Sequence, residues 1–395
     1  MATEPDISSE RTIVARAQSA ADFVKTAGNR IETERELPPD VHEALLAAGV
    51  FRLLLPRSIG GLEVSIPTFA EITMRLATAD ASTAWCVGQG GGCSMSASFL
   101  EHAAAKRLFG PRDAVLAWGA GVQGTAVEVP GGYRISGKWS FASGSRHATL
   151  LGAHCRIVDA DGKPRLTAEG RPADRTALFP RSKARIEDVW QVVGLKGTGS
   201  DTYSVEGLFV PAEETIDREA LGSARETGTL YRFPTMMVYA AAFGGVMLGI
   251  ARGMIDDLKS LALTKTARGA ASSLRDSEMF HAELARLEGR WRALRHYHFG
   301  TFTEIWQAID GGAPLTLDQR IAARLASTHT IHEGCRIAVD AYRAAGQNAI
   351  FESAPFEHRL RDALSASQQV QGRPAHFATV GRHLLGLPLD THLFV

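Results

Sequence analysis

Read for apolar and polar positions, the chain divides into three stretches. The first carries helical periodicity. Apolar residues recur at helical spacing over 13–31 and 66–77. Pro38-Pro39-Asp40 opens a helix over 41–48 that stops at Gly49, with Pro39 well suited to a helix start. Residues 82–99 predict a further helix, loosened by Gly88, Gly90, Gly91 and Gly92, and Pro111 closes the stretch.

The pattern then shortens to two-residue alternation broken by turn residues. Residues 127–137 predict a hairpin around Pro130-Gly131-Gly132. Strands are expected over 150–158, 175–179 and 204–210, the last ending at Pro211. Roughly seven short strands in this stretch suit a barrel or sandwich. From Arg232 onward long helices return, over 238–263, 277–308, 317–344 and 356–385, with turns at Gly311-Gly312 and at Gly346. The expected organisation is α+β in three domains: an all-helical 1–112, a β-barrel 113–215 and a helical bundle 216–395.

Composition narrows the function. Lys plus Arg equals Asp plus Glu, 43 against 43, so no net field recruits nucleic acid or an acidic membrane. The most apolar run, 236–251, is shorter than a membrane span and reads as a buried helix. The four cysteines are scattered, and the first ten residues are polar and acidic without a secretion signal. A reducing cytoplasm is expected. The spacing of His329 and His332 finds no third ligand, so no metal is expected. No G-x-G-x-x-G follows a strand, which leaves a Rossmann reading without support.

Three motifs stand out: Gly194-Leu-Lys-Gly-Thr-Gly-Ser200 before an alternating strand, Gly137-Lys-Trp-Ser-Phe-Ala-Ser-Gly144, and Arg361-Asp362-Ala363. Together with the order helices, β, helices, they resemble the acyl-CoA dehydrogenase superfamily over nearly the whole chain. Asp188-Val-Trp190 before the glycine run, Trp139-Ser-Phe-Ala-Ser143 and Ser82-Thr-Ala-Trp85 are similar to the two-component, reduced-flavin monooxygenases that hydroxylate phenols and steroid-derived phenols.

That resemblance implies an acyl-CoA dehydrogenase fold with a C-terminal four-helix bundle, usually tetrameric. It implies reduced FMN or FAD delivered by a separate flavin reductase, O2 as co-substrate, and a flavin hydroperoxide whose distal oxygen the substrate attacks in a dry pocket. Gly197, Thr198, Gly199 and Ser200 would approach the flavin with backbone N–H groups and hydroxyls, although a plain Gly-rich turn accounts for them alone. Trp139, Phe141 and Ser143 share one strand face by alternation, a face that would back the flavin ring or simply belong to the core. Ser143 matches a serine that the family places near flavin N5. Arg268 matches the place of a phosphate-binding arginine, or is a solvated loop residue.

The chain also departs from both branches. A dehydrogenase needs a carboxylate base, yet Gln371 stands in one customary neighbourhood, and residues 231–255 contain no Asp or Glu. The phenol hydroxylases carry two histidines whose places here are Cys93 and Gln369. Losing both suggests a substrate already nucleophilic: an electron-rich heteroarene, an amine or a thioether. Gln369 would orient it by hydrogen bonds, while Cys93 reads first as a small hydrophobe. Of the other histidines, His147 lies nearest the flavin motif. The rivals are a dehydrogenase or oxidase on the same scaffold, and a catalytically silent flavin-binding protein.

Overall fold

The computed structural model describes residues 9–168, 170–218, 221–266 and 273–389. Six helices come first: α1 (Glu10–Thr26), α2 (Gly28–Glu34), α3 (Pro39–Ala48), α4 (Ile66–Ala79), α5 (Ala81–Ser94) and α6 (His102–Phe109). Side-chain oxygens of Ser9, Ser65 and Asp80 cap α1, α4 and α5 by accepting otherwise unpaired first-turn amides. The periodic run expected over 13–31 divides at Ala27 into α1 and α2. The glycines at 88–92 do not unwind α5, which runs unbroken to Ser94 before a 3₁₀ turn at Met95–Phe99.

Eight strands then form one mixed sheet: β1 (Leu116–Trp118), β2 (Gly124–Val129), β3 (Gly132–Ala142), β4 (Leu150–Val158), β5 (Asp174–Pro180), β6 (Arg185–Glu187), β7 (Asp201–Pro211) and β8 (Thr215–Ile216). Their order is β6-β7-β3-β2-β4-β5-β8, with β1 parallel to β4. The expected hairpin is β2–β3, closed by Pro130-Gly131 with Val129 opposite Gly132. The sheet has its own apolar core, centred on Trp139 and Tyr203 with ring centroids 5.4 Å apart.

The shared face expected for Trp139, Phe141 and Ser143 does not form. The β3–β7 register slips between Trp139 and Ala142, and Phe141 sits at φ +63°. Such a bulge breaks the two-residue alternation. Trp139 therefore turns inward with 0 % exposure, its indole N–H donating to the His154 carbonyl at 2.9 Å, whereas Phe141 turns outward, 64 % exposed. Trp139 is a core residue sealed away from any ligand on the outer side.

The last part comprises α7 (Thr235–Thr264), α8 (Glu278–Asp310), α9 (Leu317–Ala345), α10 (Pro355–Ala366) and α11 (Ala375–Leu384). Helix α7 is long and apolar enough to cross a membrane, but 94 % of its apolar window is buried within the fold. The single helix expected over 356–385 is broken. Gln369 caps a 3₁₀ turn at Val370–Gly372, and Pro374 precedes α11. Proline lacks the amide that a continuous helix requires.

Helix α10 fastens the loop between β6 and β7. The Asp362 carboxylate accepts the Leu195 amide at 2.6 Å, and Arg361 Nη1 donates to the Val193 carbonyl at 2.7 Å. Gly194 lies flat against the Arg361 backbone, where a Cβ would overlap it. Glu32 of α2 completes the clasp, pairing with Arg361 at 2.6 Å, Lys196 at 3.0 Å and His358 at 3.2 Å. Burial would raise the Glu32 carboxyl, but Arg361, His358 and Lys196 outweigh it and pull it down to about 2. Burial likewise disfavours the His358 imidazolium, yet Asp362, Asp80 and Glu32 prevail and raise it to about 9.

A raised histidine stabilises the fold fully below its unfolded value and loses that contribution as pH climbs through its folded value. The melting temperature is expected to decline between about pH 6.5 and 9, with on the order of 3 kcal/mol at stake. His358→Gln should melt lower at pH 6 and show no such decline over that interval.

Candidate active site

Helix geometry aligns residues four apart, so Trp85, Gln89 and Cys93 share one face of α5. They meet Tyr239 and Phe243, one turn apart on α7. Trp85 packs on Phe243 with ring centroids 4.2 Å apart, and Phe243 stacks on Tyr239 at 5.7 Å. The Gln89 amide donates to the Tyr239 hydroxyl at 3.3 Å, and the Cys93 sulfur lies 3.5 Å from that hydroxyl. Gly92 makes this seam possible, because a Cβ there would run into the Tyr239 ring. Trp85 and Gln89 are half-buried, which leaves the seam an open edge. Cys93 is fully buried, and burial pushes its thiol up to about 12 and Tyr239 well above its ordinary value. Both are protonated at neutral pH, so neither is a base.

At the Trp85 end begins a chain of hydroxyls. The indole N–H donates to Ser143 Oγ at 3.1 Å. Ser143 Oγ and Ser200 Oγ are 2.7 Å apart, Ser200 Oγ and Thr198 Oγ1 2.7 Å, and Thr198 donates to the Leu195 carbonyl at 2.8 Å. The glycines of this loop serve packing rather than an open cradle: a Cβ on Gly197 would strike Ile31, and one on Gly199 would strike the Arg146 side chain. Gly199 also turns the loop at φ +48°, and its amide bonds within the loop to the Lys196 carbonyl. The hydroxyls, not the amides, are therefore what this loop offers, through Ser143. Beside them the exposed Phe141 ring meets Trp190 edge-on at 6.0 Å.

The expected trio of Ser143, Cys93 and Gln369 is brought together only in part. Ser143 meets Trp85 at one end of the seam, and Cys93 lies at the other, about 12 Å from Trp85 along α5 at the helical rise. Gln369 belongs to the 3₁₀ turn packed on α9, where its side-chain oxygen accepts the Gln371 amide at 2.8 Å. Its Nε2 and that of Gln371 are buried without a hydrogen-bond partner among the described residues. Gln371 Oε1 accepts from Arg324, whose guanidinium burial pulls down to about 10. Arg268 lies outside the described residues.

The remaining candidates have structural partners. His147 is half-buried against His42 and Phe51, ring centroids 4.9 and 5.5 Å away. His332 and His376 meet the carbonyls of Gly372 and Val370. Asp256 and Asp257, the first carboxylates after the acid-free run in α7, pair with Arg252 and Arg359. Trp85 entered the sequence reading only through the Ser82-Thr-Ala-Trp85 motif, and Gln89, Tyr239 and Phe243 escaped it. The spacing 85-89-93 was the available signal for Gln89; nothing local marked the two on α7.

These residues fit a flavin. A hydroxyl backed by a fixed network, with the exposed Phe141 ring beside it, suits the polar edge and planar face of an isoalloxazine. Among the described residues the seam holds no carboxylate. Comparison with known proteins agrees. Residues 241–371 match the family described as acyl-CoA dehydrogenase, C-terminal domain. Indole-3-acetate monooxygenase of Pseudomonas putida is 30 % identical over 363 residues, covering 92 % of this chain and 91 % of its own. HsaA, the oxygenase subunit of a flavin-dependent monooxygenase of Mycobacterium tuberculosis H37Rv, is 26 % identical and covers 96 % of both. The structure of XiaF from Streptomyces sp. in complex with FADH2 and glycerol superposes with a TM-score of 0.88 at 25 % identity, over 97 % of each chain. The chain belongs to the flavin-dependent monooxygenases of the acyl-CoA dehydrogenase fold.

Two outcomes are expected. Gly92→Ala should cost about 1–3 kcal/mol of stability through overlap with Tyr239, seen as a lower melting temperature. Iodoacetamide at pH 8 should leave Cys93 unmodified in the native protein, and peptide mass mapping should find it alkylated only after unfolding.

Proposed function

We propose that this protein oxygenates an electron-rich heteroaromatic ring, of the indole type, using reduced FMN or FAD supplied by a separate reductase. The observation that carries the substrate class is the seam itself. Its walls are aromatic, and its two titratable groups, Cys93 and Tyr239, are held protonated. A phenol profits from a base that deprotonates it; an indole is nucleophilic without one. The name of the Pseudomonas putida relative points to the same ring system.

When bound, reduced flavin reacts with O2 and delivers one oxygen atom. The chain's own residues bind and orient. Phe243 and Tyr239 line the aromatic wall, and Gln89 presents an amide to polar substituents. Phe141, Trp190 and Ser143 would hold the flavin beside the seam. The close packing of α5 on α7 excludes water.

The finer organisation follows the same reading: a helical domain to 112, a barrel-like domain to 215 and a bundle beyond, assembled as a cytoplasmic homotetramer. Apolar side chains left exposed on the C-terminal helices and turns, Ile350, Phe351, Leu384 and Leu385, support assembly.

The test supplies FADH2, 18O2 and either indole-3-acetate or a simple phenol to the purified protein. Incorporation of one labelled oxygen into the indole, with little into the phenol, is expected by mass spectrometry. Rapid labelling of the phenol, or peroxide alone with both substrates unchanged, would overturn the assignment.

A further inference from the structure

A cation stands at the Cys93 end of the seam, away from Ser143. Arg218 follows β8, and its guanidinium lies over the Trp118 ring of β1, 5.7 Å from the centroid, within the range of a cation–π contact. Its Nη1 donates to His154 Nε2 at 3.3 Å. His154 is 2 % exposed, meets Trp118 edge-on with ring centroids 4.7 Å apart, and has Nδ1 2.8 Å from Thr176 Oγ1. A guanidinium only donates, so Nε2 is the lone-pair nitrogen, and in the neutral ring Nδ1 carries the hydrogen that goes to Thr176. Burial and the neighbouring Arg218 charge keep the imidazole neutral, holding it well below its ordinary value. Such a partner aims the guanidinium without cancelling its charge.

Trp118 connects this cluster to the seam. Strand β1 packs on α5, and the Trp118 backbone and indole reach the Cys93 thiol and the Tyr239 hydroxyl. The Arg218 charge favours the anionic form of both groups, although burial prevails. The seam therefore differs at its two ends, with the Ser143 hydroxyl at Trp85 and a cation beyond Cys93. We propose that Arg218 is a specificity-determining residue that receives an acidic side chain of the substrate, so that an aromatic acid is taken in preference to the same ring without its carboxylate. The proposal rests on the reading above that an indole-type ring lies in the seam. A planar guanidinium carries five N–H donors, so a bond to His154 is compatible with a two-pronged contact to a carboxylate. Anchored there, the substrate has one end fixed, and that sets which ring edge reaches the Trp85 end. His154 is then a positioning residue that acts through Arg218.

The test compares indole-3-acetate with 3-methylindole, which shares the ring and lacks the carboxylate, in protein supplied with reduced flavin and O2. The native protein should favour indole-3-acetate about tenfold or more in kcat/KM, with the difference lying in KM. Arg218→Gln should lower that preference about tenfold, the effect of losing one charge-assisted contact. Arg218→Lys, which keeps the charge but not the fork, should fall between. His154→Leu should lower the preference as well, and His154→Gln, which keeps an acceptor, should restore it. A merely structural role would depress both substrates and leave their ratio as it was, which overturns the proposal. So would equal use of the two substrates by the native protein, a result that leaves the indole reading intact and needs no variant to fold. A weaker Kd for FADH2 in Arg218→Gln with the substrate ratio unmoved would assign the cation to a flavin phosphate and equally overturn it. If neither indole is oxygenated, the reading of the seam falls, and this proposal with it.

Discussion

The Asp362 carboxylate reaches from α10 into the loop between β6 and β7 and holds the Leu195 amide at 2.6 Å. Leu195 sits in the left-handed region at φ +55°, a conformation that a leucine keeps only under outside constraint. From that residue the loop turns so that Thr198 and Ser200 face Ser143, and Ser143 faces Trp85 of α5. Elements remote in the chain therefore share one hydrogen-bonded line. Around it, Glu32 of α2 pairs with His358, Arg361 and Lys196, and His358 pairs in turn with Asp362, so the clasp ties α2 and α10 to the loop.

Much of the fold was legible because burial imposes period. The long helices α7, α8 and α9 lie close to their expected ends, and the β2–β3 hairpin turns at its Pro-Gly pair. What failed was local geometry set by tertiary contact. The run over 356–385 looks helical throughout, yet Gly372 is pressed against the Ser367 carbonyl and Pro374 cannot continue the helix. The alternation that put Trp139 beside Phe141 is broken by a bulge that no residue type announces. The loop from Gly194 to Ser200 was singled out by its glycines, but in the folded chain Gly197 and Gly199 admit Ile31 and Arg146, and the buried hydroxyls of Thr198 and Ser200 make the link to Ser143.

The absence of both family histidines gains a physical setting. Cys93 is not a substitute nucleophile, because its thiol is buried and protonated. It is a small side chain that lets the Tyr239 hydroxyl approach α5 and meet Gln89. The seam so formed is aromatic along its length, with both titratable groups held protonated by burial.

The glycines of α5 bear on any attempt to retune this enzyme. Gly91 admits the Phe69 ring and Gly92 the Tyr239 ring, each at a distance that forbids a Cβ. The helix already carries the smallest side chain there is at these positions, so it has no bulk left to remove. At Gly92 room for a larger ring can come only from the α7 wall, by trimming Tyr239, whereas at the other end of the seam both helices have bulk to give, Trp85 from one and Phe243 from the other. Chemical diversification of this scaffold is thereby graded along the seam, with an incompressible floor at the glycine end and two adjustable jaws at the other.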